Sequence, residues 1–95
     1  MESKEAFEKR IKAELNELSE ELAQLRLRTD MAKTEVKLEY TKRIIELKDK
    51  KEEAQKRLEE LEETSGNGWK ALEEGVERAV DDFSSSLEKA ISELK

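Results

Sequence analysis

The chain has 95 residues, of which 46% are charged, 35% apolar and 4% aromatic, and it carries a net charge of −6 at pH 7. Average globular domains are about a quarter charged and close to half apolar. A chain this short and this polar cannot form a thick core, so it is either disordered or built from long helices with narrow apolar seams. Regular helical periodicity, described below, favours the helical alternative.

The residue types also exclude several classes of function. The chain contains no histidine and no cysteine, which removes the commonest general bases, thiol nucleophiles and transition-metal ligands. Basic residues are outnumbered by acidic ones, 19 to 25, and they form no basic surface of the kind that binds nucleic acid. We therefore expect no enzymatic activity, no cofactor, no metal and no nucleic-acid partner.

The start of the chain and its hydropathy bear on localisation. The residues that follow Met1 include no basic segment leading into an apolar run, as a signal peptide would have. No stretch approaches the ~20 apolar residues that a membrane span needs. These features predict a cytoplasmic protein.

The first predicted element is a long helix. Apolar or small residues, with Lys51 as the exception, recur in fifteen steps of three or four positions that cover 54 residues, and the mean step of about 3.6 is the α-helical period. No glycine or proline interrupts this stretch, so the pattern predicts one continuous helix over about residues 3–63. The positions of the seam are Phe7, Ile11, Leu15, Leu18, Leu22, Leu25, Thr29, Ala32, Val36, Tyr40, Ile44, Leu47, Lys51, Ala54, Leu58 and Leu61.

A turn over residues 64–68 and a second, shorter helix over about residues 68–94 follow. Gly66 suits the left-handed position that ends a helix, and the side chain of Asn67 can cap the next one. Gly75 costs about 1 kcal/mol of helix propensity against alanine, and we expect it to allow close approach of another helix. The apolar positions of the second helix are Trp69, Leu72, Val76, Val80, Phe83, Leu87, Ile91 and Leu94.

The two predicted helices form an all-α helical hairpin with coiled-coil packing. Folding the short arm back on the long arm brings its apolar positions against the second half of the long helix, with Leu38 and Ile45 widening the apolar face. The hairpin-packing residues are then Leu47, Leu58, Leu61, Trp69, Leu72, Gly75, Val76 and Phe83. The short arm ends near Val36, which leaves the first half of the long helix without a partner in its own chain.

A second copy of the chain is the predicted cover for that first half. An antiparallel homodimer places Leu22 of one chain against Leu47 of the other and Ala32 against Val36. Each end of this dimer is a three-helix bundle made from the N-terminal half of one chain and the hairpin of the other. The predicted oligomer-interface residues are Phe7, Ile11, Leu15, Leu18, Leu22 and Leu25.

Trp69 and the acidic clusters allow a functional and a structural interpretation. Trp69 is either an anchor for a partner protein or a plug that closes the open end of the hairpin against Leu58 and Leu61, and its position favours the plug. Clusters such as Asp81 and Asp82 have the ligand type for a divalent cation, but on a charged helix they are typical of a solvated face.

Two segments resemble a known family. The first comprises residues 31–40 and 53–61, which are rich in Lys, Glu and Leu. The second is the pattern Trp69, Leu72, Gly75, Val76, Ala79 and Phe83. Over about residues 30–85 the chain resembles short bacterial coiled-coil proteins described as a stress-response family of undefined biochemical activity. The resemblance implies a bacterial, cytosolic, stress-linked setting and brings no catalytic residues.

The sequence thus predicts a non-enzymatic coiled-coil structural or interaction protein that forms a homo-oligomeric helical rod, with a protein partner that the sequence does not identify. The alternative is a membrane-surface or lipid-binding amphipathic protein, supported by Trp69 and Phe83 on the second helix. The net charge of −6, which repels anionic lipid, disfavours that alternative.

Overall fold

The computed structural model describes residues 2–93, which form three α-helices: α1 (Lys4–Asp30), α2 (Thr34–Glu63) and α3 (Trp69–Glu93). The predicted all-α class is confirmed. The helices pack side by side in a bundle of 52 × 17 × 16 Å, with α2 antiparallel to both of its neighbours. Residue 94, which the sequence predicts to end the second helix, lies outside the described residues.

The structure has two helices where the sequence predicts one. α1 ends as the Met31 N–H donates to the carbonyls of Leu27 and Arg28 at 3.3 and 3.2 Å, and the chain reverses before α2 begins. Lys33 is extended, with φ −63° and ψ 147°. Local propensity favours continuation of the helix here. The reversal lets α1 bury its apolar face within its own chain, and tertiary burial of this kind stabilises helices more than propensity does.

The other helix ends follow local rules. Ser3 caps α1, since its Oγ accepts from the Ala6 N–H at 3.1 Å. Gly66 adopts the predicted positive φ, at 65°. A Cβ atom on Gly68 would lie 2.8 Å from Thr64 Cγ2, so a side chain at this position would require the Thr64 side chain to shift.

The core is one continuous cluster of buried side chains to which all three helices contribute. Thr29 is its buried polar member, and its Oγ1 donates to the Leu25 carbonyl at 2.9 Å. Within residues 2–93 no buried side-chain nitrogen or oxygen lacks a hydrogen-bond partner. The buried apolar residues are Phe7, Ile11, Leu15, Leu22, Leu25, Leu47, Ala54, Leu58, Leu61, Trp69, Val76, Val80, Phe83, Leu87 and Ala90.

The predicted oligomer-interface residues lie in this core. Phe7, Ile11, Leu15, Leu22 and Leu25 are buried within a single chain, and Leu18 packs partly buried against them. The premise that the chain's own hairpin cannot reach them is wrong, because the reversal at residues 31–33 returns α1 to it. A second copy is therefore not needed to cover these side chains.

Candidate interaction surface

The residues predicted to pack the hairpin come together in the structure, with one difference in role. Leu47, Leu58, Leu61, Trp69, Val76 and Phe83 are buried in the core, and Leu72 packs partly buried against it. Gly75 faces a side chain rather than a neighbouring backbone: a Cβ atom there would lie 3.2 Å from Arg57 Nη1. The close helix approach predicted at Gly75 is therefore not what the structure shows.

An aromatic contact joins the first and third helices. The rings of Phe7 and Trp69 lie 5.9 Å apart between centroids, and the Arg10 guanidinium lies 5.2 Å from the Phe7 ring on its outer side. Cation–π contacts of this geometry stabilise by about 0.5–1 kcal/mol at exposed sites. Trp69 is only 6% exposed, so in this fold it closes the bundle and is not available to anchor a partner protein.

Arg10 also connects the two helices through hydrogen bonds. It donates to Glu77 on α3 at 3.0 Å and to both carboxylate oxygens of Glu2 at 3.0 Å. The bonds to Glu2 and Glu77 raise the pKa of Arg10 above its ordinary value. The hydrogen bond that Glu2 accepts from Arg10 lowers the pKa of Glu2. These groups are exposed, so they orient α1 against α3 more than they stabilise the fold.

Cross-helix ion pairs set the relative positions of the helices. Lys50 pairs with Asp82 at 2.9 Å, and Arg43 pairs with Glu93 at 2.7 Å. Both pairs join α2 to α3 in antiparallel order. Lys4 Nζ, near the start of α1, donates to the carbonyls of Glu62 and Thr64 at 3.1 and 2.7 Å. A cation at a helix C-terminus satisfies orphan carbonyls and opposes the helix dipole.

The exposed large apolar side chains are concentrated at one end of the bundle. Among residues 2–93, all of them fall within residues 27–45, on either side of the α1–α2 connection, and Met31 is the most exposed at 87%. We call this set the connection surface. Its members are Leu27, Met31, Val36, Leu38 and Ile45.

The connection surface arises because the start of α2 has little packed against it. The first buried residue of α2 is Leu47, and within residues 2–93 the ion pair between α2 and α3 that lies nearest to the start of α2 is Arg43–Glu93. α1 ends at Asp30, and Thr29 lines a cleft with Thr41 and Ile44. The first two turns of α2 therefore extend beyond the part of the bundle in which all three helices meet.

The connection surface has two faces. Val36 lies eleven residues before Leu47, which is three helical turns, so it points to the same side of α2 as the core and is nevertheless 40% exposed. Leu38 and Ile45 lie on the far side of α2 and are exposed. The prediction that Leu38 and Ile45 widen the apolar face of the hairpin is wrong, because α1 and α3 cover only the opposite side.

Other kinds of site find no support in the described part of the chain. Residues 2–93 contain no group of three acidic side chains placed to hold a metal ion. None of the helices described over that range is apolar enough to cross a membrane.

No protein-family model, curated protein or solved structure matches the chain. Residues 2–93 form an up-down-up three-helix bundle with exposed apolar side chains at one end.

Proposed function

We propose that this chain is a non-enzymatic helical interaction protein that works as a homodimer, and that the copies meet at the connection surface, on the face that carries Val36. The observation that carries the proposal is that, among residues 2–93, the exposed large apolar side chains are confined to residues 27–45. Elsewhere along residues 2–93 the large apolar side chains are buried or packed against the core. Exposed apolar side chains gathered in one segment of a small, highly charged protein are typical of a protein–protein contact.

The acidic clusters support an interaction protein rather than a catalyst. Glu59, Glu60 and Glu63 are exposed on α2, and Glu62 pairs with Lys12 at 3.1 Å. Carboxylates become general acids or bases when a cleft perturbs their protonation. Glu60 and Glu63 face solvent, and Glu59 and Glu62 line an open cleft beside Lys12.

A bacterial, cytoplasmic and stress-linked setting belongs to the proposal through the family resemblance alone. Its test is the abundance of the protein, and of the proteins that purify with it, before and after heat, oxidative and osmotic stress. Unchanged abundance and unchanged partners under all three conditions would remove the stress link and leave the proposed self-association standing.

The lipid-binding alternative requires the apolar face of α3. Phe83 is 0% exposed and Trp69 is 6% exposed, so the bundle would have to open before either side chain could enter a bilayer. Co-sedimentation with vesicles of anionic lipid tests this alternative. Strong binding, together with quenching of Trp69 fluorescence by brominated lipid in the vesicles, would favour it over the homodimer.

Sedimentation velocity over about 1 μM to 1 mM protein, a range that spans weak to moderate affinities, tests the proposed self-association. We expect a concentration-dependent dimer that Val36→Glu weakens by tenfold or more, because the variant places a carboxylate in the contact. Ser85→Glu, on an exposed position of α3, is the matched control and should dimerise like the parent. A parent protein that remains monomeric throughout the range would refute the proposal.

A further inference from the structure

We infer that the dimer forms by exchange of α1 between two copies. Residues 31–33 straighten into helix, α1 and α2 become one continuous helix, and α1 of each copy packs into the groove between α2 and α3 of the other. This inference rests on the proposed self-association and adds to it the identity of the exchanged segment and the residues that act as the hinge.

The chemistry of the connection allows both conformations. Met31, Ala32 and Lys33 are all strong helix formers, whereas tight reversals between helices usually contain glycine, asparagine or proline. Met31 is already in the right-handed helical region, with φ −90° and ψ −6°. Lys33 precedes α2 without a side-chain hydrogen bond to cap it. Besides the packing of α1, the reversed form has a hydrogen bond from the Ala32 N–H to the Thr29 carbonyl at 3.1 Å and an exposed one from Lys37 Nζ to the Asp30 carbonyl at 3.4 Å.

The helical phase of the core continues through the connection. Leu25, Thr29, Ala32, Val36 and Tyr40 follow one another at steps of three or four. On a straight helix these positions share one face. If the connection served only as a turn, the apolar faces of α1 and α2 would not need to line up along one straight helix. Because they do line up, we infer that the continuous helix also occurs, packed against other helices.

The groove between α2 and α3 accepts α1 in this structure. Phe7 contacts Trp69, Arg10 bonds Glu77, and Lys4 donates to the Thr64 carbonyl. Two copies of the chain are identical, so every one of these contacts can form between chains with the same geometry. Exchange of an identical element is a low-cost route to a two-fold symmetric dimer.

The exposure of Val36 indicates which new contact the exchanged dimer forms. It points toward the core side of α2 and yet is 40% exposed, because α1 of the same chain ends at Asp30 and does not reach it. In the exchanged dimer the straightened segments of the two copies run antiparallel, and Ala32 of one copy faces Val36 of the other. The second copy supplies the helix that is missing opposite the start of α2.

Paired cysteines distinguish exchange from other modes of dimerisation, since the natural chain has no cysteine. Asn16 on α1 and Gln55 on α2 line the same cleft, so Asn16→Cys with Gln55→Cys reports on the position of α1. Lys50→Cys with Asp82→Cys joins α2 to α3, which stay together in both forms. The probe is a short bismaleimide, and the products are separated on a denaturing gel.

At concentrations where the protein is dimeric, we expect the first pair to give a covalent dimer and the second pair to give an internally linked monomer. The single variants Asn16→Cys and Gln55→Cys measure links that arise from collision. Internal links from both pairs in a dimeric sample would overturn the exchange and leave the proposed self-association intact. A sample with no dimer would overturn both.

A proline at the start of α2 provides a second test. Thr34 is the first residue of α2, a position that accepts proline. Lys33 already has the extended ψ of 147° that a residue before proline prefers. In a continuous helix the same proline removes a hydrogen bond and clashes with the preceding turn.

We expect Thr34→Pro to keep the melting temperature of the monomer and to raise the Kd of dimerisation by about a hundredfold or more, since proline in a helix interior is strongly unfavourable. Thr34→Ala, a good helix former at the same site, should dimerise at least as tightly as the parent. Equal dimerisation of the proline and alanine variants would show that α1 and α2 do not join into one helix.

Discussion

The ring of Phe7, near the start of α1, packs 5.9 Å from the ring of Trp69, the first residue of α3. This contact joins parts of the chain that are separated by the whole length of α2. Phe7 is fully buried, and Arg10 covers the ring from the solvent side. The pair closes the end of the bundle opposite the connection surface, so it reports directly on whether α1 occupies the groove.

Phe7→Ala should reduce the free energy of unfolding by about 3–5 kcal/mol, the usual cost of removing a buried phenylalanine. The physical reason is the loss of apolar contact with Trp69 together with the cavity that remains. Urea denaturation followed by Trp69 fluorescence measures the change. Glu17→Ala, at an exposed position of the same helix, is the control and should alter stability by less than about 0.5 kcal/mol; equal effects of the two variants would contradict the packing described here.

Gly75→Ala should stabilise the protein by up to about 1 kcal/mol, because alanine is a much better helix former than glycine. The new Cβ would meet only Arg57 Nη1 at 3.2 Å. This exposed guanidinium, paired with Glu53, is able to shift away. The midpoint of urea denaturation measures the gain, and a loss of stability would mean that a neighbouring backbone lies closer than the structure shows.

Gly66→Ala should destabilise the protein, which is the opposite of the effect expected for Gly75→Ala. Gly66 has a φ of 65° and no atom within 4 Å of a Cβ placed there, so the cost is conformational strain of about 1–2 kcal/mol rather than a clash. The same urea measurement made on Gly75→Ala provides the comparison. A neutral result would mean that the turn between α2 and α3 adopts another conformation.

Lys4→Met should destabilise the protein by about 1 kcal/mol, the typical net contribution of a hydrogen bond. The substitution keeps the apolar stem and removes the ammonium that bonds the carbonyls of Glu62 and Thr64. Lys9→Met, at an exposed position of α1, is the matched control. Faster amide hydrogen exchange in the last turn of α2 should accompany the loss of stability in the Lys4 variant only.

Glu2 should titrate below 4.5, its ordinary pKa, because the hydrogen bond from Arg10 favours the carboxylate. A lowered pKa means that the stabilising contribution is present at pH values above 4.5 and is lost as the pH falls through the folded-state pKa. Carboxyl ¹³C chemical shifts measure the titration directly. The stability difference between the parent and Glu2→Gln should vanish below that pKa, and titration at or above 4.5 would contradict the Glu2–Arg10 contact.

Much of the fold was predictable because it depends on local rules. The helical period of the seam placed Phe7 and Leu22 on the apolar face of their helix, although as contacts to a second copy and not to the chain's own helices, since residues three and four apart share a helix face. Gly66 marked the turn before α3, because a left-handed position selects glycine. The assignment of Leu38 and Ile45 failed, since periodicity does not show how far a neighbouring helix extends.

The connection surface was not predictable, because it is defined by what is missing opposite it. Val36 has the same helical phase as Leu47, and one is half-exposed while the other is buried. Within residues 2–93 the difference comes from how far α1 reaches along α2, and the end of α1 carries no glycine or proline to mark it. A helix end without a local signal is set by contacts between residues far apart in the sequence.

By itself the sequence determined that the chain is helical and which side of each helix is apolar, because both follow from the spacing and propensity of neighbouring residues. Only the tertiary structure decided that the chain reverses at Met31–Lys33. A continuous helix retains a few more hydrogen bonds, each contributing about 1 kcal/mol net. The reversal buries the apolar face of α1, including Phe7, Ile11 and Leu25, at about 1.5–3 kcal/mol for each large side chain. Within a single chain, burial outweighs the local preference for a straight helix.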